Sequence, residues 1–294
     1  MPTENPTAAW HRVREISMRR LNGEIESEAT DFIAAEEPLE IRVEGHSIAV
    51  VMRTPGEDRE LAAGFLLTEG MIRTLDDVKE IRHRPHCWST DLSSQNGSAL
   101  VRSEGNVIDG WLKNPASVDL KKLSRHVFTS SSCGICSKAS IEAVRQQFPP
   151  LESFCEVDPQ VILELPESLT AAQETFKRTG GLHACALFDL DGQLLALRED
   201  VGRHNALDKV LGWALLEGHL PLSKHILLLS GRTSFEMMQK SLAGGVPIIA
   251  AISAPSSLAV EFARDSGQTL VGFLRGERMN IYAGADRVRS LVLK

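Results

Sequence analysis

Residues 38–43 and 47–52 each alternate apolar and polar side chains, with Glu44-Gly45 between them. Alternation on both sides of a short Gly-containing link predicts a β-hairpin. After the turn at Pro55-Gly56 the period changes. Leu61, Ala62, Phe65 and Leu66 share one face of a helix predicted over 59–68, with Asp58 as its cap and Gly70 as its stop. Two short strand candidates follow, at 99–103 and 107–111. In front of all this, residues 1–30 are polar without a steady period, and an irregular, frayed segment is expected there.

The second half reads differently. Residues 141–148 have the pattern of a helix, broken by Pro149-Pro150. Another helix is predicted over 170–178, ended by Gly180-Gly181. Strands at 182–188 and 194–198 are joined through the turn residues Asp191-Gly192, and an amphipathic helix follows over 206–216. Continuous apolar strands at 226–229, 246–252 and 269–274 then alternate with helices, one of them over 258–265. Strands without a polar face belong to a sheet covered on both sides. The fold class expected is α/β, or α+β over the whole chain. It comprises a flexible segment 1–30, a small α+β domain 31–125, and a three-layer αβα domain 126–294 opening on a Cys-x-x-Cys loop.

Composition narrows the partners more than the fold. With 294 residues, 43% of them hydrophobic, there is material for one large core or two modest ones. Thirty-two Lys+Arg against 39 Asp+Glu leave a net charge of −7, so no global basic field attracts nucleic acid. Any anionic ligand must be held by a local cluster. Residues 1–20 show no apolar signal core, and no apolar run approaches a membrane span. The 5 cysteines do not read as a secreted disulfide framework. A reduced, cytoplasmic protein with neither nucleic-acid nor membrane partners is expected.

Three segments carry candidate chemistry. In Ser130-Ser131-Ser132-Cys133-Gly134-Ile135-Cys136-Ser137-Lys138, serines precede a Cys pair at the start of a predicted helix. Free N–H groups, the helix dipole and Lys138 favour thiolate over thiol, which makes Cys133 and Cys136 a reactive pair. Three other readings stand beside this one. The pair is half of a zinc site completed from His83, His86 and Cys87, although that second group lacks ligand spacing and no structural metal is expected. It is a thioredoxin-like motif, although serines rather than an aromatic residue precede it. Or it is buried and inert.

The second segment is Glu199-Asp200-Val201-Gly202-Arg203-His204-Asn205, at a strand-to-helix junction. It reads equally as a site or as capping by Asp200 or Asn205 with solvated charge. The third is a pair of hydroxyl-rich loops, Ser230-Gly231-Arg232-Thr233-Ser234 and Ser253-Ala254-Pro255-Ser256-Ser257, each following a strand and opening a helix. Sheets of this kind bind ligands there, and helix N-termini suit phosphate. Arg232, Arg275 and Arg278 supply forked donors. The loops match neither a Walker sequence nor Gly-x-Gly-x-x-Gly, and fit a nucleotide-bearing anion better than a nicotinamide.

Several stretches taken together resemble one family: Met52-Arg53-Thr54-Pro55-Gly56, Glu60-Leu61-Ala62-Ala63-Gly64-Phe65-Leu66, Cys133-Gly134-Ile135-Cys136, Thr179-Gly180-Gly181-Leu182-His183-Ala184, residues 199–209, Ser230-Gly231-Arg232, Ser253-Ala254-Pro255-Ser256-Ser257-Leu258-Ala259 and Gly272-Phe273-Leu274-Arg275. From about residue 37 onward the chain resembles the FdhD family of formate dehydrogenase accessory sulfurtransferases.

The resemblance implies a sulfur carrier. Such a protein accepts persulfide sulfur from a cysteine desulfurase and passes it to molybdenum (or tungsten) bis-molybdopterin guanine dinucleotide before insertion into formate dehydrogenase. It implies the persulfide on Cys133; by thiol chemistry Cys136 is then expected either to resolve that persulfide or to acidify or share the load with its neighbour. It implies cofactor contacts from Phe273, Leu274, Arg275, Gly276, Glu277 and Arg278, and Ser230, Gly231, Arg232, Ser253 and Ser256 join them by position. GDP is the natural mimic, and two guanine ends suggest a homodimer. The αβα domain is implied to be similar to the cytidine deaminase fold. The zinc-deaminase signature departs, however, because His183 is followed by Ala184 and Cys185 and a serine precedes Cys133. Two rival classes remain: a non-catalytic chaperone for the cofactor, and a zinc-dependent nucleobase hydrolase.

Overall fold

The computed structural model describes residues 12–83, 105–115, 148–152 and 154–289. The strand candidate at 99–103 and nearly all of the helix at 141–148 lie outside them.

The first element corrects the expectation of a frayed start. β1 (Val13–Asn22) and β2 (Ile25–Ala34) form an uninterrupted antiparallel hairpin, turning at Gly23 with φ +63°. Both of its faces are largely exposed, so selection for a core left no apolar period to read. Its base is fixed by ion pairs, Arg12 with Glu57 and Arg14 with Glu37 at 2.7 Å.

β3 (Glu37–Val43) and β4 (His46–Arg53) are the hairpin expected from alternation. With β5 (Val78–His83) and β6 (Val107–Leu112) they make a four-stranded sheet in the order β4-β3-β6-β5. Helix α1 (Asp58–Thr68) carries the predicted apolar face, and Gly70 follows it with φ +71°. Asp58 is not its cap. That position is Glu57, in the left-handed region at φ 50°, while the Asp58 carboxylate accepts both arms of the buried Arg53 guanidinium at 2.8 and 2.9 Å.

The larger sheet has six strands in the order β12-β11-β10-β9-β7-β8. β9 (His225–Leu229), β10 (Ile248–Ala251) and β11 (Thr269–Arg275) run parallel. β7 (His183–Asp189) is antiparallel to β9 and to β8 (Leu194–Asp200), and β12 (Arg278–Ala283) is antiparallel to β11. β12 was not anticipated, because its partly exposed, polar sequence Arg-Met-Asn-Ile-Tyr-Ala lies at the sheet edge.

The single helix expected over 170–178 is two. α2 (Pro159–Ala172) is capped by Asp158 with Pro159 at its first position, and α3 (Glu174–Thr179) restarts after the non-helical Gln173. Glu199 starts α3 by accepting the N–H groups of Thr175 and Phe176 at 2.9 and 2.8 Å. α4 (Arg203–Leu216), α5 (Phe235–Ala243) and α6 (Ser257–Asp265) complete the described helices.

Strand residues alternate between two apolar clusters. Ala186, Phe188, Ile226, Leu228 and Ile248 pack with Ile162, Leu165 and Leu169 of α2. Leu187, Leu227, Leu229, Ile249 and Ala251 pack with residues of α1, α4, α5 and α6 on the other side. The result is three layers, helix–sheet–helix. The second cluster also takes in Leu39, Ile41 and Ile108 of the smaller sheet. α1 joins the two sheets by crossing α4 at paired glycines. A Cβ on Gly64 would enter the Asp208 carbonyl, and one on Gly212 the Glu60 carbonyl.

Candidate functional site

The parallel strands β9, β10 and β11 end on one edge of the large sheet, and β8 ends there too because it reverses twice through β7. Each ending carries a segment singled out by its sequence. After β9, Ser230 ties the strand to β7: its Oγ accepts the Ala184 N–H at 2.8 Å and its own N–H donates to the Ala184 carbonyl at 3.0 Å. After β10, Ser256 caps α6, its Oγ accepting the Ala259 N–H at 3.2 Å. The two loops are sewn together, since Thr233 N–H donates to the Ala254 carbonyl (3.2 Å) and Ser256 N–H to the Thr233 carbonyl (2.9 Å).

The end of β11 joins them. Phe273 N–H donates to the Ser253 carbonyl at 3.1 Å, and Arg275 Nε to the Ile252 carbonyl at 3.3 Å. Phe273 adopts φ +52° with 43% of its surface exposed. A bulky residue in the left-handed region costs on the order of 1–3 kcal/mol and marks a site worth attention. Arg275 pairs in register with Arg278 across the turn at Gly276 (φ +53°) and Glu277, and all four are exposed. Leu274 is fully buried against the α2 side and contributes packing rather than contact. Gly272 is required: a Cβ there would meet Pro255 Cδ at 2.9 Å. Ser230, Gly231, Arg232, Ser253, Ser256 and the 273–278 turn thus share one edge of one sheet.

The polar run after β8 is partly clamp and partly lining. Asp200, fully buried, accepts from Gly202 N–H (2.8 Å), Asn205 Nδ2 (2.9 Å), Thr54 N–H (3.1 Å) and the fully buried Lys209 Nζ (2.8 Å). Lys209 also donates to the Thr54 carbonyl at 3.0 Å. Asp200 and Asn205 are therefore turn and anchor groups, and neither caps the helix nor is solvated as the capping alternative expected: the cap is Gly202, with no side-chain bond, and both side chains are buried. Arg203 and His204 do something else. With His183, Glu36, Met52, Val201 and Gly202 they line a cavity of about 120 Å³. Burial, then the Arg203 guanidinium, push His183 below the ordinary imidazole value; Asp200 pulls it up, and His204 and Arg232 push it down. Glu36 was not picked out by sequence, and His183, though it lies in one of the resembling stretches, was given no role there. They approach α4 only through β7 pairing and the β2–β3 link, a tertiary juxtaposition without a local signal.

Cys133 and Cys136 lie outside the described residues, as do His86 and Cys87. Cys185 is fully buried on β7, and burial, reinforced by Asp208, holds its thiol well above the usual value. Cys155 is also buried, and its thiol is pushed up for the same first reason against the opposing pull of Arg287. Neither is placed to be a nucleophile. Among the described residues no three His, Cys, Asp or Glu side chains are grouped to hold a metal.

Known proteins match this chain along most of its length. The sulfur carrier protein FdhD of Nocardia farcinica is 48% identical over 263 residues, 89% of each chain. That of Mycobacterium tuberculosis is 47% identical over 285 residues, 95% of this chain and 98% of the other. That of Sulfurisphaera tokodaii is 42% identical over 280 residues, 94% and 99% of the two. A crystal structure of a protein assigned as a formate dehydrogenase accessory protein, from Desulfotalea psychrophila, superposes with a TM-score of 0.72 at 25% identity, covering 94% of this chain and 99% of that one. Because the sequence profile of the FdhD/NarQ family spans residues 34–289, from the last residue of β2 to the last of the described residues, the chain belongs to the FdhD/NarQ family.

Proposed function

We propose that the protein is a sulfur carrier serving formate dehydrogenase. Cys133 takes sulfane sulfur from a cysteine desulfurase and delivers it to a molybdenum or tungsten bis-molybdopterin guanine dinucleotide, which is the substrate. The observation that carries this reading is the convergence at one sheet edge of the 230–234 loop, the 253–256 loop and the exposed turn bearing Phe273, Arg275 and Arg278. Within a family whose named relatives are sulfur carriers, that edge offers stacking and forked cationic donors to a guanine nucleotide end.

The loading step is displacement at sulfur. Cys133 thiolate attacks the outer sulfur of the donor persulfide, a new S–S bond forms, the donor's S–S bond breaks, and the donor cysteine leaves as thiolate. In delivery, Cys136 attacks the inner sulfur of the Cys133 persulfide. Hydrosulfide leaves toward the metal, and the resulting disulfide is returned to thiols by a cellular dithiol. The cytoplasm is the proposed compartment; no described helix is long and apolar enough to cross a membrane. A homodimer would present two such edges to the two guanine ends. We read the αβα layers as a relative of the cytidine deaminase fold in which His183-Ala184-Cys185 has replaced the zinc signature.

Incubating the protein with a cysteine desulfurase and cysteine, then weighing it intact, tests the reading. An added mass of about 32 Da, removable by reductant and absent in Cys133→Ala, is expected. Full loading of Cys133→Ala would end the assignment. A non-catalytic chaperone would bind GDP yet carry no labile sulfur. A zinc hydrolase would show stoichiometric zinc in the same sample.

A further inference from the structure

The cavity beside α4 is too small for a base or a pterin. At about 120 Å³ it lies well below the roughly 300–1,000 Å³ of sites that enclose whole small molecules. It has room for one tetrahedral group. Its wall is the first turn of a 14-residue helix whose cap, Gly202, has no side chain and so makes no capping bond to the leading N–H groups. Among the described residues, the buried Nε of Arg203, the first helical residue, has no hydrogen-bond partner. His204 is 8% exposed and also lines the cavity; its Nε2 lies 3.0 Å from Glu236 Oε2 but outside hydrogen-bonding geometry.

The charged groups around the imidazole of His183 can be named element by element. Arg203 and His204 belong to α4, Arg232 to the β9–α5 loop, Asp200 to β8, and Glu36, on the rim, to the β2–β3 link. Asp200 is already neutralised by Lys209 at 2.8 Å and engaged by two backbone N–H groups and Asn205. Glu36 is exposed to water. Among the described residues, Arg203 and the helix terminus therefore face a space lined by one carboxylate, the exposed Glu36, with Glu236 of α5 set behind His204 at 3.0 Å from its Nε2. A buried guanidinium N–H beside uncapped helix N–H groups is the chemistry of an oxyanion cradle.

We propose that the cavity lined by His183, Gly202, Arg203 and His204 binds a single phosphate-class oxyanion, as a phosphoryl group of a larger ligand or as the free ion. This does not depend on sulfur transfer, and nothing in it involves Cys133.

The test is calorimetric titration of the full chain with inorganic phosphate, pyrophosphate, GDP and guanosine at fixed chloride ionic strength. Saturable phosphate binding is expected, weakened at least about tenfold in Arg203→Gln, the loss of one charge-assisted hydrogen bond. Glu36→Gln, at an exposed link where folding is not at risk, is expected to tighten binding by removing the rim carboxylate. Competition between GDP and phosphate, with the Arg203→Gln loss seen for GDP and not for guanosine, assigns the group to a nucleotide. Phosphate binding that GDP leaves untouched assigns it to the free ion or to a different phosphorylated ligand. In both cases the His183 imidazole, followed by NMR, should titrate at higher pH when phosphate is bound, because the anion favours its charged form. No saturable phosphate binding, equal binding by wild type and Arg203→Gln, or an unmoved His183 titration would overturn the proposal.

Discussion

Two buried lysines show how differently the same side chain can be held. Lys240 Nζ meets both oxygens of Asp208, at 3.0 and 2.8 Å, and Thr68 Oγ1 at 2.8 Å. Burial pulls its pKa down, but Asp208, Glu69 and Glu236 together leave it raised above 10.5. Lys209 has Asp200 at 2.8 Å, and there burial prevails: its pKa is lowered, with Asp200 opposing and Arg12 adding to the fall. The signs of the linkage are opposite. The Lys240 contribution is fully present below pH 10.5 and fades as pH climbs through the raised folded value. For Lys209 the unfolded chain holds more protons between the lowered value and 10.5, so stability gains from rising pH in that window. Asp208→Asn, which strands Lys240, is expected to cost about 3–5 kcal/mol in urea unfolding at pH 7, whereas Lys240→Met with Asp208→Leu recovers most of it. The stability gap between wild type and Lys240→Met should narrow above pH 10.5. The importance of Asp208 and Lys240 was not legible in the sequence. On separate helices they look like ordinary polar positions, and only the approach of α1, which brings Thr68, makes them a buried group.

At the level of elements, the sequence disclosed those whose burial is one-sided or complete. The β3–β4 hairpin, α1, β7, β8 and the parallel strands β9 to β11 each have an apolar period enforced by a core. The β1–β2 hairpin and β12 have mostly exposed side chains and therefore no such period. The α2–α3 break depends on Glu199, which is distant in sequence. The candidate edge was legible as two hydroxyl loops, because strand ends that open helices are a local pattern; of the His183–Arg203 cavity only the 201–204 side was flagged, because the rest is assembled across elements. Of the glycines at the α1–α4 crossing, Gly64 belongs to one of the resembling stretches and Gly212 only to a predicted helix, and the necessity of both comes from packing. Gly64→Ala or Gly212→Ala would gain about 1 kcal/mol in helix propensity and yet force Cβ into the facing backbone carbonyl. A net loss of about 1–3 kcal/mol or more is expected in either single variant, read as a lowered urea midpoint with an unchanged slope. A stabilised Gly212→Ala protein would show that the helices can separate without loss.

Over the whole molecule, the feature that governs stability is the shared inner layer. α4 buries Ala206, Leu207, Val210, Leu211 and Ala214 completely, in the cluster that also holds Leu61 and Leu66 of α1 and Leu39, Ile41 and Ile108 of the small sheet. The polar links cross the same boundary. Thr54 gives Asp200 a backbone N–H and Lys209 a carbonyl, Arg198 grips Glu60 at 2.5 and 2.8 Å, and Asn205 donates to the Met52 carbonyl at 2.7 Å. Among the described residues, the small sheet with α1 and the αβα layers therefore share one core. Units joined this way unfold together, since neither can leave without exposing the other's apolar layer and stranding a fully buried ion pair. The full chain is expected to show one cooperative thermal transition, with calorimetric and van't Hoff enthalpies equal. A fragment comprising residues 126–294 is expected to lack a sharp transition and to bind a hydrophobic dye, because the face of α4 and the Asp200–Lys209 pair have lost their cover. Two separate transitions in the full chain, or a cooperative fold in the fragment, would show that α1 and the small sheet are a lid on an independent αβα domain instead of half of its core.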